Sequence, residues 1–152
     1  MDHRKLQIEQ LESRIKNFVP ARQLPNPPTG WIKGIRLALG MTLQQLADKL
    51  AITKQSVQEL EVREQEGAIT LKTLREAGRA IDMELVYGFV PKGDSLDQYI
   101  ESKARAMAEK IVLRTSNTMK LEKQENSEER IKKAIDERTT LIKHELPKSL
   151  WD

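Results

Sequence analysis

The stretch LQQLADKLAITKQSVQELE (Leu43–Glu61) determines the fold of this chain. Its apolar residues recur at helical spacing on both sides of Ala51, which predicts two short helices around a tight turn. Thr42 and Thr53 stand where the N-cap residues of these helices belong, and Ile52 is expected to close the turn. This packing would hold the second helix away from the body of the domain, where it could enter a DNA major groove about 12 Å wide.

The same signals extend the pattern in both directions. Gly40 is a favourable helix C-cap, and Thr70 is an N-cap that follows a polar loop expected near Glu64–Gly67. The four predicted helices cover residues 31–39, 43–50, 54–63 and 71–81. We therefore expect an all-α, compact, multi-helix domain over residues 31–83.

Further segments flank this domain on both sides. Residues 1–19 predict an amphipathic helix whose apolar face consists of Leu6, Leu11, Ile15 and Phe18. Residues 20–30 hold four of the six prolines, which predicts an extended connector because proline removes backbone donors. Residues 95–152 predict a C-terminal helical extension, with amphipathic helices over 96–122 and 128–145.

The segment MELVYGFV (Met83–Val90) departs from helical spacing and predicts one short strand, with residues 84–91 as a dimer contact. A lone strand leaves its backbone groups unpaired, and the same strand of a second copy would satisfy them. The residues assigned to this contact are Leu85, Val86, Tyr87 and Phe89. An extended apolar tail packed on its own core is the alternative.

Composition excludes several classes of protein. The 152 residues include no cysteine, so disulfides and thiol chemistry are ruled out. The longest apolar runs fall far short of the roughly 20 residues that cross a bilayer, and the N-terminus lacks a signal peptide's apolar stretch, so we expect a cytoplasmic protein. No catalytic motif, cofactor loop or paired metal ligands occur, and the two histidines lie near opposite ends. We therefore expect no enzyme, no cofactor and no metal site.

Side chains able to bind double-stranded DNA concentrate around the second helix of the central pair. Glutamine can bond adenine bidentately, lysine can donate to guanine, and glutamate can accept from cytosine. The predicted base contacts are Lys54, Gln55, Gln58 and Glu59. Hydroxyl and basic side chains near helix N-termini suit phosphate oxygens. The predicted phosphate contacts are Gln44, Thr53, Ser56, Arg63 and Lys72.

The stretch Ile32–Glu61, continued by ITLKTLREAGRAIDM (Ile69–Met83), resembles the Cro/C1-type (XRE) helix-turn-helix repressors. The resemblance covers about a third of the chain and implies a lambda-repressor-like fold and sequence-specific DNA binding. It also implies a structural ion pair between Arg36 and Glu61, which fixes helix orientation and presents Arg36 towards phosphate. The family's base-contacting positions fall on Lys54, Gln55 and Glu59.

Two residues depart from that family. Leu43 stands where the family often has a phosphate-contacting glutamine, and Ala51 stands where it usually has a turn glycine. Ala51 must therefore adopt the glycine's backbone conformation or reshape the turn.

The arrangement of the whole chain, including VYGFVPKG (Val86–Gly93), is similar to a bacterial family called mobile mystery protein A. That family accompanies a Fic/Doc-domain protein on mobile elements, so the resemblance implies an antitoxin-like or autoregulatory role. Fic inhibitors often carry the motif [Ser/Thr]-x-x-x-Glu-[Gly/Asn], but Val62 and Leu121 occupy its first position here.

The sequence thus predicts a homodimeric transcriptional repressor of its own operon, in bacterial cytoplasm and nucleoid-associated when bound to DNA. Each copy would place the 54–63 helix in one major groove of an inverted repeat. The alternative is an antitoxin-like protein that binds and neutralises a partner, such as a Fic/Doc-domain protein encoded nearby. A structural, nucleoid-type DNA binder is a third possibility. No membrane contact is expected.

Overall fold

The computed structural model describes residues 3–121 and 128–152, with side chains in the first range described up to Ser116. Every regular element in these ranges is helical, which confirms the all-α prediction. The α-helices are α1 His3–Lys16, α2 Trp31–Ala38, α3 Leu43–Leu50, α4 Lys54–Glu66, α5 Leu71–Ala80, α6 Leu96–Leu121 and α7 Glu128–Glu145. Short 3-10 helices cover Val19–Gln23 and Lys148–Trp151.

The chain divides into two compact units. Pro20–Gly88 contains α2 to α5 and is called the central unit below. The second unit, called the terminal unit below, contains α1, α6 and α7. It consists of the described residues up to Val19 and those from Phe89 onward. None of the helices in the described ranges combines the length and the apolar character that a membrane span requires.

Three helices of the central unit, α3, α4 and α5, begin where the sequence predicts, because threonine hydroxyls cap them. Thr42 and Gln45 form a reciprocal capping box at the start of α3, with bonds of 3.0 and 2.8 Å. Thr53 accepts from the Ser56 N–H at 3.0 Å, and Thr70 accepts from the Thr73 N–H at 3.1 Å. A hydroxyl cap of this kind stabilises a helix by about 1 kcal/mol.

The core of the central unit lies where these four helices meet. Leu46, Ala47 and Val57 are fully buried, so α3 and α4 pack closely around the small Ala47 side chain. The complete buried apolar set is Ile32, Leu46, Ala47, Val57, Leu60, Ala77 and Ile81. Ile52 was wrongly expected to close the turn, since its side chain is exposed. A backbone hydrogen bond of 3.1 Å from the Ile52 N–H to the Ala47 carbonyl closes it instead.

Two boundaries differ from the prediction. α4 continues to Glu66, so the polar loop expected near Glu64–Gly67 is mostly helix, and Gly67 at φ +77° ends it as a left-handed C-cap. Glutamate and glutamine are good helix formers, which explains the extra turn. At the other end, α1 stops at Lys16, and the proline-rich connector begins with the 3-10 helix Val19–Gln23 because proline suits a first helical position.

The strand predicted over residues 84–91 is absent from the described chain. Residues 83–90 have no regular secondary structure, and residues 84–90 make no backbone hydrogen bond within the described chain. The physical reason is that no second strand exists in the described ranges to complete a ladder. Val86, Tyr87 and Phe89 are 68%, 57% and 88% exposed. The alternative of an apolar tail packed on its own core is therefore wrong for these three side chains.

The terminal unit is organised around the long helices α6 and α7. Ala104 and Ala108 of α6 are fully buried, and their small side chains let other elements approach α6 closely. Ile142 of α7 and Leu150 pack against them. α1 joins this pair mainly through polar contacts, because none of its residues is buried. The Glu12 carboxylate accepts from the Leu96 and Asp97 N–H groups at 2.9 and 3.0 Å. α1 therefore caps the start of α6.

Candidate nucleic-acid interface

The turn between α3 and α4 has the geometry of a helix-turn-helix. Ala51 lies in the left-handed region at φ 55° and ψ 41°, so alanine adopts the conformation that usually favours glycine. The N–H groups of Ala51 and Ile52 satisfy carbonyls at the end of α3, as in a Schellman C-cap. Thr53 then caps α4 at once. The turn is therefore short and is closed by backbone hydrogen bonds from Ala51 and Ile52.

The outer face of α4 carries the predicted base contacts. Lys54, Gln55, Gln58 and Glu59 are all exposed. Gln55, Gln58 and Glu59 line one shallow surface depression together with Val62 and Arg63. The opposite face carries the buried residues Val57, Leu60 and Glu61. α4 is thus anchored along one side and presents donors and acceptors along the other.

Most of the predicted phosphate contacts lie near helix starts, whereas Arg63 lies in the last turn of α4. Most of them already have partners. Gln44 donates to the Asp48 carboxylate at 2.9 Å. Thr53 donates to the Ser56 hydroxyl at 2.8 Å, so these two hydroxyls form a pair at the start of α4. Arg63 lies 3.7 Å from Glu59, and both side chains are more than half exposed. Lys72 is exposed in the first turn of α5.

Arg36 and Glu61 lie inside the core of the central unit as a bidentate ion pair. The Arg36 Nε and Nη2 donate to the two Glu61 oxygens at 2.7 and 3.0 Å. Arg36 Nη1 donates to the Met41 carbonyl at 3.1 Å. The hydrogen bond with Glu61 raises the pKa of Arg36 above its usual value, assisted by the charge of Glu61 and opposed by desolvation. The guanidinium is charged throughout the working range of pH.

This geometry shows where the polar groups of Arg36 point. Arg36 is only 7% exposed, and its donors point to Glu61 and Met41. Arg36 joins α2 to α4, and its contact with phosphate stays a prediction.

Sequence reasoning missed Glu64, which lies on the inner face of α4. Its carboxylate oxygens accept from the Trp31 N–H at 2.7 Å and from the Ile32 N–H at 2.9 Å. These are the first N–H groups of α2, whose N-cap position holds Gly30 with no capping side chain. The only sequence signal for this role of Glu64 was the missing capping side chain at the start of α2. It implied that a residue elsewhere in the chain must cap that helix.

Comparison with known proteins agrees with this geometry. Residues 32–87 match the helix-turn-helix family model, which covers α2 to α5 and the start of the exposed apolar segment. No curated protein matches the chain, and neither does any solved structure. The matched range holds the capped turn, the buried ion pair and the exposed face of α4. The chain therefore carries a DNA-binding helix-turn-helix domain of the Cro/C1-type (XRE) family of transcription regulators.

Proposed function

We propose that this protein is a homodimeric repressor of its own operon, acting on the bacterial nucleoid, and that each copy contacts one half of an inverted repeat through α4. Two-fold dimers of this class place their recognition helices about 34–36 Å apart, or a multiple of that distance. Repression follows when the bound dimer blocks access to the promoter that contains the repeat.

The observation that carries this proposal is the division of α4 into two faces. Leu60, Glu61 and Glu64 attach one face to the domain through packing and hydrogen bonds. Gln55, Gln58 and Glu59 remain exposed on the other face. Their amide and carboxylate groups have the chemistry that distinguishes base pairs in the major groove.

The segment over residues 84–91 supports a dimer. Its backbone groups at residues 84–90 make no hydrogen bond to any residue that the structure describes, and its side chains at Val86, Tyr87 and Phe89 are strongly exposed. Antiparallel pairing of this segment with the same segment of a second copy would satisfy the backbone groups and cover the apolar side chains. Leu85, which is partly buried, completes the proposed contact.

The test is selection of binding sites from random DNA, followed by binding of Gln55→Ala to the selected operator. We expect an inverted repeat, and a loss of about 1–3 kcal/mol that is confined to one base position in each half-site. Gln65→Ala is the matched control, because Gln65 is an exposed glutamine of the same helix about 15 Å further along. Equal binding of Gln55→Ala and wild type to every operator variant would show that α4 does not read bases.

An antitoxin-like function is the second candidate, and exposed apolar surface in the terminal unit favours it. Ile111, Val112 and Leu141 line an open groove between α6 and α7 that could hold part of a partner protein. The resemblance to mobile mystery protein A suggests a Fic/Doc-domain protein as that partner. Co-purification with the product of the adjacent gene would support neutralisation, whereas purification of the repressor alone would count against it.

A further inference from the structure

α4 is joined to α2 at two points. Glu61 binds Arg36 near the C-terminal end of α2 through hydrogen bonds of 2.7 and 3.0 Å. Glu64, one turn further along α4, binds the first N–H groups of α2, which belong to Trp31 and Ile32. The two points are separated by most of the length of α2, whose eight residues span about 12 Å.

The contact of Glu64 with α2 is closely fitted. Gly30 precedes α2 with φ +90° and carries no side chain to cap it. A Cβ atom added at Gly30 would lie 3.0 Å from Glu64 Cδ and 3.0 Å from Oε1, closer than ordinary van der Waals contact. The carboxylate therefore fills the space where a capping side chain would stand. Its negative charge also lies at the positive end of the α2 dipole, where both hydrogen bonds are charge-assisted.

We propose that Glu64 is a positioning residue for DNA recognition, because its cap on α2 fixes the angle at which α4 presents Gln55 and Glu59. The proposal rests on the function proposed above. Val57 and Leu60 hold α4 against the core by apolar packing, which is not directional, and Glu61 joins it to α2 at one polar point. The hydrogen bonds of Glu64, one turn away, add a second directional attachment that opposes a tilt of α4 against α2. Gln55 lies six residues from Glu61, so a tilt of about 7° would move it by about 1 Å. A displacement of that size would stretch a hydrogen bond to a base edge beyond its normal donor–acceptor distance.

The experiment compares wild type, Glu64→Ala and Glu64→Gln on the selected operator and on operators with single base-pair changes. The measured quantity is the ratio of their dissociation constants, at a temperature where circular dichroism shows each variant fully folded. Glu66→Ala is the matched control, since Glu66 is an exposed carboxylate two residues away on the same helix. We expect the discrimination ratio to fall by about tenfold in Glu64→Ala, because a displaced α4 would lose the discrimination supplied by about one base contact. Binding to random DNA should stay unchanged.

Glu64→Gln should give an intermediate ratio, because its single carbonyl oxygen can accept one of the two hydrogen bonds. It also keeps the test decisive if Glu64→Ala does not fold. Unchanged discrimination in both folded variants would overturn the positioning role. So would equal losses on operator and random DNA, which would indicate a purely structural role. Absence of discrimination in the wild-type protein would refute the proposed function itself, and that result is visible before any variant is compared.

Discussion

At the scale of single residues, the ion pair between Arg36 and Glu61 matters because both charges lie inside the core, 7% and 4% exposed. Removal of one partner leaves the other charge buried and unpaired, which is far more costly than loss of a surface pair. We expect Glu61→Ala to lower the free energy of unfolding by about 3–5 kcal/mol, measured by urea denaturation.

Two variants control that measurement. Glu66→Ala removes an exposed carboxylate of the same helix and should change stability by less than about 0.5 kcal/mol. Joint replacement by Arg36→Met and Glu61→Leu removes both charges and should cost less than Glu61→Ala alone. A small loss in Glu61→Ala, similar to that of the control, would mean that the pair contributes little.

A substitution of Ala51 should stabilise the protein, in contrast to Glu61→Ala. Its left-handed conformation, φ 55° and ψ 41°, is unfavourable for a residue with a Cβ atom. We therefore expect Ala51→Gly to raise the free energy of unfolding by up to about 1 kcal/mol, since relief of this strain outweighs the greater freedom of glycine in the unfolded chain. The check is thermal unfolding beside Ala38→Gly, where an exposed alanine in the last turn of α2 should give a loss.

These residues also show what sequence alone can predict about the site. The capping roles of Thr42 and Thr53 depend on neighbours within three residues, so local pattern was sufficient. Exposure of Gln55 followed from helical spacing in the same way. Glu64 caps a helix start 33 residues away, and the burial of Arg36 depends on the packed core. Such contacts follow from tertiary packing and leave little trace in local sequence.

At the scale of elements, the start and the end of α5 should differ in their effect on DNA binding. Lys72 lies in the first turn of α5 and is proposed to contact phosphate, whereas the exposed Arg79 lies in its last turn. We expect Lys72→Ala to weaken binding to every sequence alike. The plot of log affinity against log salt should also become less steep, its negative slope shrinking in magnitude by about 1. Titration of binding against salt concentration measures that slope.

Arg79→Ala is the matched control, because it removes the same charge from the same helix about 10 Å away. Its slope should equal that of the wild type. Equal slopes for both variants would remove Lys72 from the interface, and a loss restricted to particular base pairs would make it a base contact.

Prediction of elements succeeded where helices are amphipathic and capped, and failed where an element needs a partner. α3 and α7 have the predicted bounds because helical hydrogen bonds are internal to each segment. The strand expected over residues 84–91 is absent from the described chain, because a strand needs a neighbour that the local pattern cannot supply. The extent of α4 was underestimated because Glu64–Gly67 was taken for a loop on polarity alone.

At the scale of the whole molecule, the proposed dimer makes a prediction about assembly. Phe89 is 88% exposed in a segment whose backbone at residues 84–90 makes no hydrogen bond with the described parts of the chain. We expect Phe89→Asp to convert a dimer into a monomer in sedimentation, and to weaken operator binding by losing the second half-site. The cause is the cost of placing a carboxylate in an apolar contact.

Leu24→Asp is the control for Phe89→Asp, since it places a carboxylate at another strongly exposed apolar position, in the connector. It should sediment as the wild type does. Two results would contradict pairing through residues 84–91. One is a wild-type protein that remains monomeric while it saturates its operator, and the other is a Phe89→Asp variant that is still a dimer.

The polar attachment of α1 has a consequence for biosynthesis. The carboxylate of Glu12 meets Leu96 and Asp97, and the guanidinium of Arg4 donates to the Leu146 carbonyl at 2.8 Å. Both partners are translated long after α1 leaves the ribosome, by roughly ten seconds for the later one at ordinary elongation rates. The central unit can fold during that interval, while α1 waits without the groups that hold it. The nascent chain should therefore acquire its DNA-binding domain first, and join α1 to the start of α6 and to Leu146 only after those later residues have emerged from the ribosome.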